Sequence, residues 1–318
     1  MLNIAVQMDH PSRLNPLGDS TFMLIHEAAR RGHRVAFYEA AQLSWTAGDI
    51  IAPLAPITID PATAPVWSLG KATSQSLRSM DVILMRQDPP FDMSYITATH
   101  LLEQIADEVA IWNNPASVRN APEKLSILPF ARFMPPTLIS RDAAQIHAFA
   151  EAHGVIVAKP LYGFGGRSVF QLRAGDSNID TLIEHWGEQS REPLMWQQFR
   201  AEVADSDKRI LFIDGKVAAV FGRTPGAGSI RANIRVGGKP IATELTPRQA
   251  EICAALSPFL KERGLMLAGI DVIGDFLTEI NVTSPTGLRA AEKLYGINLA
   301  AVFWDAVEHG AMRLPHRT

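Results

Sequence analysis

The sequence predicts an α/β and α+β chain: an N-terminal parallel-sheet α/β domain over residues 1–122, followed by a two-part α+β unit. The parts are a small lid over residues 123–200 and a C-terminal piece over 201–318. Three observations predict this. In the first 120 residues, short continuous apolar runs alternate with helically spaced ones, the pattern of a buried parallel sheet. Near Pro122 the composition changes, and a double proline at 135 and 136 follows. Further on, Asp214-Gly215 sits between two apolar runs, a strong two-residue hairpin signal. A length of 318 residues also exceeds the roughly 100–200 of a single domain.

The elements follow in order. NIAVQM reads as a strand, and after a loop Asp19 or Ser20 caps a helix through Phe22, Ile25, Ala28 and Ala29 that Gly32 stops. RVAFYEA is the next strand. Residues 46–80 carry several prolines and read as an excursion with one strand around Ile57 and Ile59. DVILMR, a helix over Tyr95–Ala106 and the strand VAIWNN complete the first domain. EKLSILPF is a short helical piece; FMPPTLIS, a helix over Ala143–His153, VIVAKP, SVFQL, a helix around Thr181–Trp186 and LMWQQF form the lid. The last part holds the hairpin KRILFIDGKVAAVFGR, a helix over Pro247–Arg263 closed by Gly264, strands in LMLAGIDVIG and FLTEINV, and a helix over Leu299–Glu308.

Composition excludes several classes. Thirty basic and 33 acidic side chains leave a net charge of −3, which offers no field to gather polyanions, so nucleic acid is not an expected partner. No stretch approaches the ~20 apolar residues that span a bilayer. The lone Cys253 cannot form an internal disulfide and lies in an apolar helix, a packing position; with no basic, apolar leader at the N-terminus, a cytoplasmic protein is expected. No histidine spacing suits zinc and no G-x-S-x-G elbow is present.

Three groupings can carry chemistry. In KPLYGFGGRSVF, Lys159 ends a strand ahead of Gly163, Gly165 and Gly166, and the chain then re-enters a strand. Glycines let backbone N–H groups converge on an anion, and the lysine adds a mobile charge. The context excludes the P-loop and dinucleotide fingerprints, while a glycine-rich hairpin turn explains the same residues. Lys124 is a second cation, by itself equally a surface residue. Asp271, Glu279 and Asn281 interrupt segments that otherwise read as buried strand, and three oxygen ligands suit Mg²⁺, with Mn²⁺ as the alternative. Opposed residues share a face, so a two-residue turn at Gly274-Asp275 would separate Asp271 from Glu279. An odd connection over Gly274–Phe276 is therefore predicted, with Phe276, Thr278, Ile280 and Val282 facing away. Lastly, Asp207, Lys208 and Arg209 precede a strand, and Arg231, Asn233 and Arg235 lie in a glycine-bearing loop that suits a closing anion clamp. A solvent-facing loop would carry the same residues.

The order of these parts, with Lys124, the Lys159 glycine loop, the Q-Q-F segment, D-x-D-K-R, the Arg/Asn loop and LTEINVTSPTG, resembles the ATP-grasp ligases and, within them, the bacterial glutathione synthetase family. The likeness extends over nearly the whole chain, front motifs MDHPSRLNPLGDSTF and ILMRQDPPFD included. It implies an ATP-grasp architecture, assembled as a homotetramer, in which γ-glutamylcysteine, glycine and ATP give glutathione, ADP and phosphate through an acyl phosphate. By that likeness Lys124, Lys159 and Gly163, Gly165 and Gly166 would meet phosphates; Gln197, Gln198 and Phe199 would line the adenine pocket; Asp207 would lie near the ribose. Asp271, Glu279 and Asn281 would hold the metal, and Arg209 and Arg231 would act on the phosphoryl oxygens. Ser20, Arg86, Asn233, Ser284, Pro285 and Thr286 would shape the substrate end. Gln87 stands where a lysine is usual in M-R-K-D-P-P, Arg167 where a small residue is common, and Ser229 and Ala232 alter the clamp loop. A sister ligase for another dipeptide or amine, and a non-catalytic nucleotide binder, are the alternatives.

Overall fold

The computed structural model describes residues 1–15, 18–166, 168–203, 207–224 and 238–311. Strand β1 (Asn3–Gln7) leads into helix α1 (Ser20–Arg30), whose first turn is capped by the Asp19 carboxylate accepting from the Thr21 N–H at 2.6 Å. Gly32 turns the chain at φ +80°, and β2 (Arg34–Tyr38) pairs in parallel with β1. Parallel neighbours joined in this way need a crossover connection, which α1 supplies.

The excursion after β2 holds more structure than the sequence indicated. Besides the strand around Ile57 and Ile59 it forms β3 (Ser44–Thr46), the long β4 (Asp49–Ile59), β5 (Trp67–Leu69) and β6 (Thr73–Ser76). β4 pairs antiparallel with all three and with β2. Pro53 and Pro56 lie inside it and obscured it, because proline cannot donate to a ladder and reads as a break. β7 (Val82–Met85), α2 (Met93–Glu103), β8 (Ala110–Trp112) and α3 (Pro115–Arg119) follow, giving the parallel order β2-β1-β7-β8.

The second sheet runs β11-β10-β12-β9, from β9 (Thr137–Ser140), β10 (Val155–Pro160), β11 (Phe170–Arg173) and β12 (Leu194–Gln198). Helices α4 (Ala143–His153) and α5 (Asn178–Gln189) cover one face around buried Trp196. The third sheet is β15-β14-β13-β16-β17: β13 (Asp207–Ile213), β14 (Lys216–Thr224), β15 (Lys239–Ala242), β16 (Leu267–Ile273) and β17 (Phe276–Asn281). The β13–β14 hairpin turns at Asp214-Gly215 as expected, and the Asp207-Lys208-Arg209 run is the start of β13 rather than a lead-in to it. Helix α6 (Pro247–Glu262) opens on a Thr246–Gln249 capping box and buries Cys253, whose thiol burial pushes up to about 12. α7 (Leu288–Tyr295), unread in the sequence, and α8 (Leu299–Ala311) close the chain.

The first and third sheets are bolted together by polar groups. The buried Asn113 amide donates to the Leu267 and Val282 carbonyls at 2.8 and 2.9 Å and accepts from the Leu267 N–H at 2.9 Å. The Trp304 indole N–H donates to the Leu24 carbonyl, and Arg31 reaches Glu27, Asp305 and Glu308. Removing the Asn113 amide strands three buried backbone groups. At about 1 kcal/mol per lost bond, Asn113→Ala is expected to lower the unfolding free energy by about 3 kcal/mol in a urea titration.

Candidate active site

Cross-strand register sets the centre of the site. Arg209 of β13 lies directly opposite Asp271 of β16, which lies opposite Glu279 of β17. Opposed residues share a sheet face, so the three form a row of alternating charge. Arg209 grips Asp271 with a fork, Nε to Oδ1 at 2.5 Å and Nη2 to Oδ2 at 3.0 Å. Gly269 makes this possible: a Cβ there would sit 3.1 Å from the Arg209 side chain that lies across it. Arg223 of β14, buried, bridges Asp207 at 2.5 Å and Asp271 at 3.2 Å. Burial pushes the Asp271 carboxyl up, but Arg209 and Arg223 outweigh it and hold the group at about 2. Asp207 is pushed up to about 6, burial and the Asp271 charge outweighing the pull of Arg223 and Arg209.

The connection between β16 and β17 corrects the expected odd loop. Ile273 pairs with Phe276, so Gly274-Asp275 is a two-residue turn. The odd residue is supplied inside the strand instead: the register shifts between Asp271 and Val272, leaving Thr278 as a bulge whose hydroxyl donates to the Asp271 carbonyl at 3.1 Å. A bulge flips parity as an odd loop would. Asp271 and Glu279 therefore share a face, as does Asn281, while Ile280 and Val282 enter the core as expected. Thr278 faces the cleft rather than away from it, and Phe276 lies under the Arg200 guanidinium at 4.3 Å.

Across the cleft, β10 and β12 present the lid's groups. The Lys159 ammonium donates to Gln197 Oε1 at 2.8 Å, and Gln197 in turn donates to Thr137 at 3.0 Å. Burial pulls the Lys159 pKa down, opposed by Glu279, Asp271 and Asp207. Lys124, buried, donates to the Gly163 carbonyl at 2.5 Å and sits 3.6 Å from Glu279. It ties the glycine loop to the acidic row. Gly165 and Gly166 take φ +65° and +70°, conformations a side chain would strain. Lys159, Gly166, Gln197, Gln198, Phe199, Asp207, Asp271 and Glu279 line one open cleft, with Arg223 and Thr278.

Residues expected at the substrate end cluster at the seam between the first and third sheets. Arg86 donates to Thr21 at 3.2 Å and to the Pro285 carbonyl at 3.1 Å; Ser20 accepts from the Leu288 N–H at 3.3 Å. The Thr286 carbonyl accepts from Arg209 at 3.4 Å, and Ser284 is buried at φ +47°. Gln87 is buried too, its amide oxygen accepting from Gln7. Arg231, Asn233, Arg167, Ser229, Ala232 and Arg235 lie outside the described residues. Sequence reading passed over Arg223, whose signal was a charge ending the apolar run VAAVFG. It also passed over Glu123, whose carboxyl is pushed up to about 7 by burial and Glu279 against the pull of Lys124.

Comparison with known proteins decides the family. A model described as prokaryotic glutathione synthetase, N-terminal domain, matches residues 2–119, and one described as prokaryotic glutathione synthetase, ATP-grasp domain, matches residues 123–296. The chain belongs to the prokaryotic glutathione synthetase family. Glutathione synthetases of Rhodopseudomonas palustris and Brucella melitensis are each 48% identical over 307 residues, covering 96% of this chain and 98% of those proteins. Among solved structures, the D-cycloserine synthetase DcsG superposes with a TM-score of 0.68 at 15% identity, over 98% of this chain and 99% of that one. An ATP-grasp ligase of Chryseobacterium gregarium solved with ADP gives 0.67 at 15%, over the whole of both. These establish the ATP-grasp fold. Among the described residues no helix is long and apolar enough to cross a membrane.

The family uses ATP and a divalent metal, and the donors fit a metal that arrives with phosphate. A carboxylate offers about four lone-pair sites, and the two arginines occupy three on Asp271, leaving one. Glu279 is half-buried with its nearest cation among the described residues at 3.6 Å, and Asn281 could offer only its amide oxygen, its unpartnered buried amide nitrogen being a donor. The set is too poor in free carboxylate for a stand-alone site, and no cluster of three acids, histidines or cysteines exists among the described residues. One or two carboxylates plus nucleotide phosphates is the usual arrangement for Mg²⁺.

The charge balance predicts an unusual pH response. Asp207 and Glu123 hold protons more tightly folded than unfolded, where such groups titrate near pH ~4. Their stabilising contribution is complete below that value and is lost as pH rises through about 6 to 7. Asp271 acts in the opposite sense, but only toward pH about 2. Urea titrations of the ligand-free protein are expected to show stability rising as pH falls from ~7.5 to ~5.5, and Glu123→Gln to flatten that rise.

Proposed function

We propose that this cleft joins γ-L-glutamyl-L-cysteine to glycine with ATP, as a glutathione-forming carboxylate-amine ligase, and that the residues singled out above divide the work. The observation that carries the reading is the Arg209–Asp271–Glu279 row, with Lys124 beside Glu279 and Lys159 sharing one cleft with Asp271 and Glu279, in a chain of the prokaryotic glutathione synthetase family.

The dipeptide's cysteinyl carboxylate oxygen attacks the γ-phosphorus of ATP and ADP departs, giving an acyl phosphate. The glycine amine then attacks the acyl carbon, phosphate leaves, and the amine gives up its proton. No covalent enzyme nucleophile is required, so positioning and charge neutralisation carry the rate. Lys124 and Lys159 neutralise phosphate oxygens, with Gly163, Gly165 and Gly166 covering them. Gln197 orients Lys159, while Gln198 and Phe199 border the base and Asp207 the ribose. Arg209 and Arg223, held by Asp271, face the transferring phosphoryl group, and Arg231 and Asn233 act from the clamp loop. Ser20, Arg86, Ser284, Pro285 and Thr286 frame the peptide end. Asp271, Glu279 and Asn281 would hold Mg²⁺, with Mn²⁺ as a substitute, and the ion would offset charge on the phosphates.

The division into an N-terminal domain over 1–122, a lid over 123–200 and a C-terminal part over 201–318, assembly as a homotetramer and a cytoplasmic location belong to the same reading. They rest on the family likeness.

Phosphate release from Mg-ATP should require γ-glutamylcysteine and glycine together and yield the mass of glutathione; release without glycine, or none at all, overturns the substrate assignment. Glu279→Gln is expected to lower kcat by roughly two orders of magnitude, the scale of a lost transition-state electrostatic contact. Full activity in that variant would remove Glu279 from the metal set.

A further inference from the structure

The glycine loop meets the first domain through a pair of rings that the chemistry above does not use. Tyr162, directly before Gly163, lays its ring against that of Phe91, the centroids 6.2 Å apart and the planes 15° from parallel. This is the offset stack that aromatic pairs prefer. The two rings are held unequally. Phe91 is half-buried and packs on the core, and it sits 5.3 Å from the ring of Tyr95 in the first turn of α2, where the Asp92 carboxylate accepts from the Tyr95 N–H at 3.0 Å. Tyr162 is 37% exposed and rides on the loop, between buried Leu161 and the glycines at 163, 165 and 166.

Glycines lose the most conformational freedom on ordering, so a loop of this composition needs anchors outside itself to hold one position over a ligand. Two are present: Lys124 donates to the Gly163 carbonyl, and Phe91 receives Tyr162. The second anchor belongs to a segment with another duty. Arg86, on the same stretch, donates to the Pro285 carbonyl at the peptide end, and the Asp88 N–H donates to the Asp9 carboxylate at 2.9 Å, tying the stretch to the end of β1. We propose that Phe91 and Tyr162 are positioning residues whose stack couples closure of the glycine loop over the nucleotide phosphates to occupancy of the peptide end. The inference rests on the ligase reading above, which puts phosphates under the loop and a dipeptide beside Arg86. Such coupling is reciprocal: the factor by which dipeptide tightens nucleotide is the factor by which nucleotide tightens dipeptide. Loop closure then follows the arrival of the acceptor carboxylate, which keeps water from the γ-phosphate until the acyl phosphate can form.

The test measures binding of the non-hydrolysable analogue AMPPNP with Mg²⁺ by calorimetry, alone and with saturating γ-glutamylcysteine, on the wild type, Tyr162→Ala, Phe91→Ala, the double variant and Tyr162→Phe. Dipeptide is expected to tighten the analogue roughly two- to tenfold on the wild type, the scale of one aromatic pair. Each alanine variant should lose that enhancement, the double variant should lose no more than either single one, and Tyr162→Phe, which keeps the ring, should retain it. A general loss of packing would not give this non-additivity. A wild type without the enhancement, alanine variants that keep it, or a Tyr162→Phe that behaves as Tyr162→Ala overturns the proposal. Tyr162 lies on an exposed loop, so its two variants decide the matter should Phe91→Ala fail to fold. If γ-glutamylcysteine does not bind the wild type at all, the ligase reading fails, and the stack is judged on the analogue alone: Tyr162→Ala should weaken it by roughly the same two- to tenfold, and unchanged affinity overturns the anchoring role.

Discussion

Everything in the cleft depends on the forked contact between Arg209 and Asp271. Two charges taken out of water cost more than their attraction returns unless the remaining donors and acceptors are also satisfied. Here they are: Asp271 takes three contacts from two arginines, Arg209 passes a further proton donor toward the Thr286 carbonyl, and Gly269 leaves the room in which the guanidinium lies flat. The pair fixes the spacing of β13 and β16 at their charged ends. It thereby fixes where Glu279, one strand further, projects.

The same contact links the site to the rest of the molecule. Thr286 belongs to the segment that leaves β17, and Pro285 beside it accepts from Arg86 of the first domain. Asn113 holds Val282, at the head of that segment, against β8. The strand exit is therefore clamped from both sides within a few residues of Asn281. A metal donor on a freely moving exit would lose affinity, since donor orientation depends on the groups that hold the donor. The N-terminal domain thus supplies more than a substrate platform; its polar seam fixes the end of the strand that carries Glu279 and Asn281.

How much of this was legible in the sequence follows from what each kind of residue reveals. Asp271 and Glu279 stood out because a charge inside an apolar strand has a cost that only a partner or a function offsets. Lys159 and its glycines stood out because the backbone freedom they provide has few uses. Arg223 was less visible, ending a strand where a solvated charge is ordinary, and its partners come from two other strands. The Thr278 bulge could not be read at all: parity arguments locate an odd residue between Asp271 and Glu279 but not whether turn or strand absorbs it. β4 was hidden because Pro53 and Pro56 mimic a break, although both hold paired positions in the sheet.

The electrostatics of the two walls explain why the cleft suits a polyphosphate and not merely any anion. On the sheet wall the arginines are already matched by Asp207 and Asp271, so their positions are set before a ligand arrives. On the lid wall Lys159 faces only a neutral amide at hydrogen-bonding distance, and burial already weakens its hold on the proton. A ligand bringing several negative charges strengthens that lysine's hold on its proton and draws on arginines that need no reorganisation. Preorganised donors of this kind are worth most where charge shifts during reaction, because nothing has to turn toward it as it moves. A monoanion would satisfy one wall and leave the other unchanged.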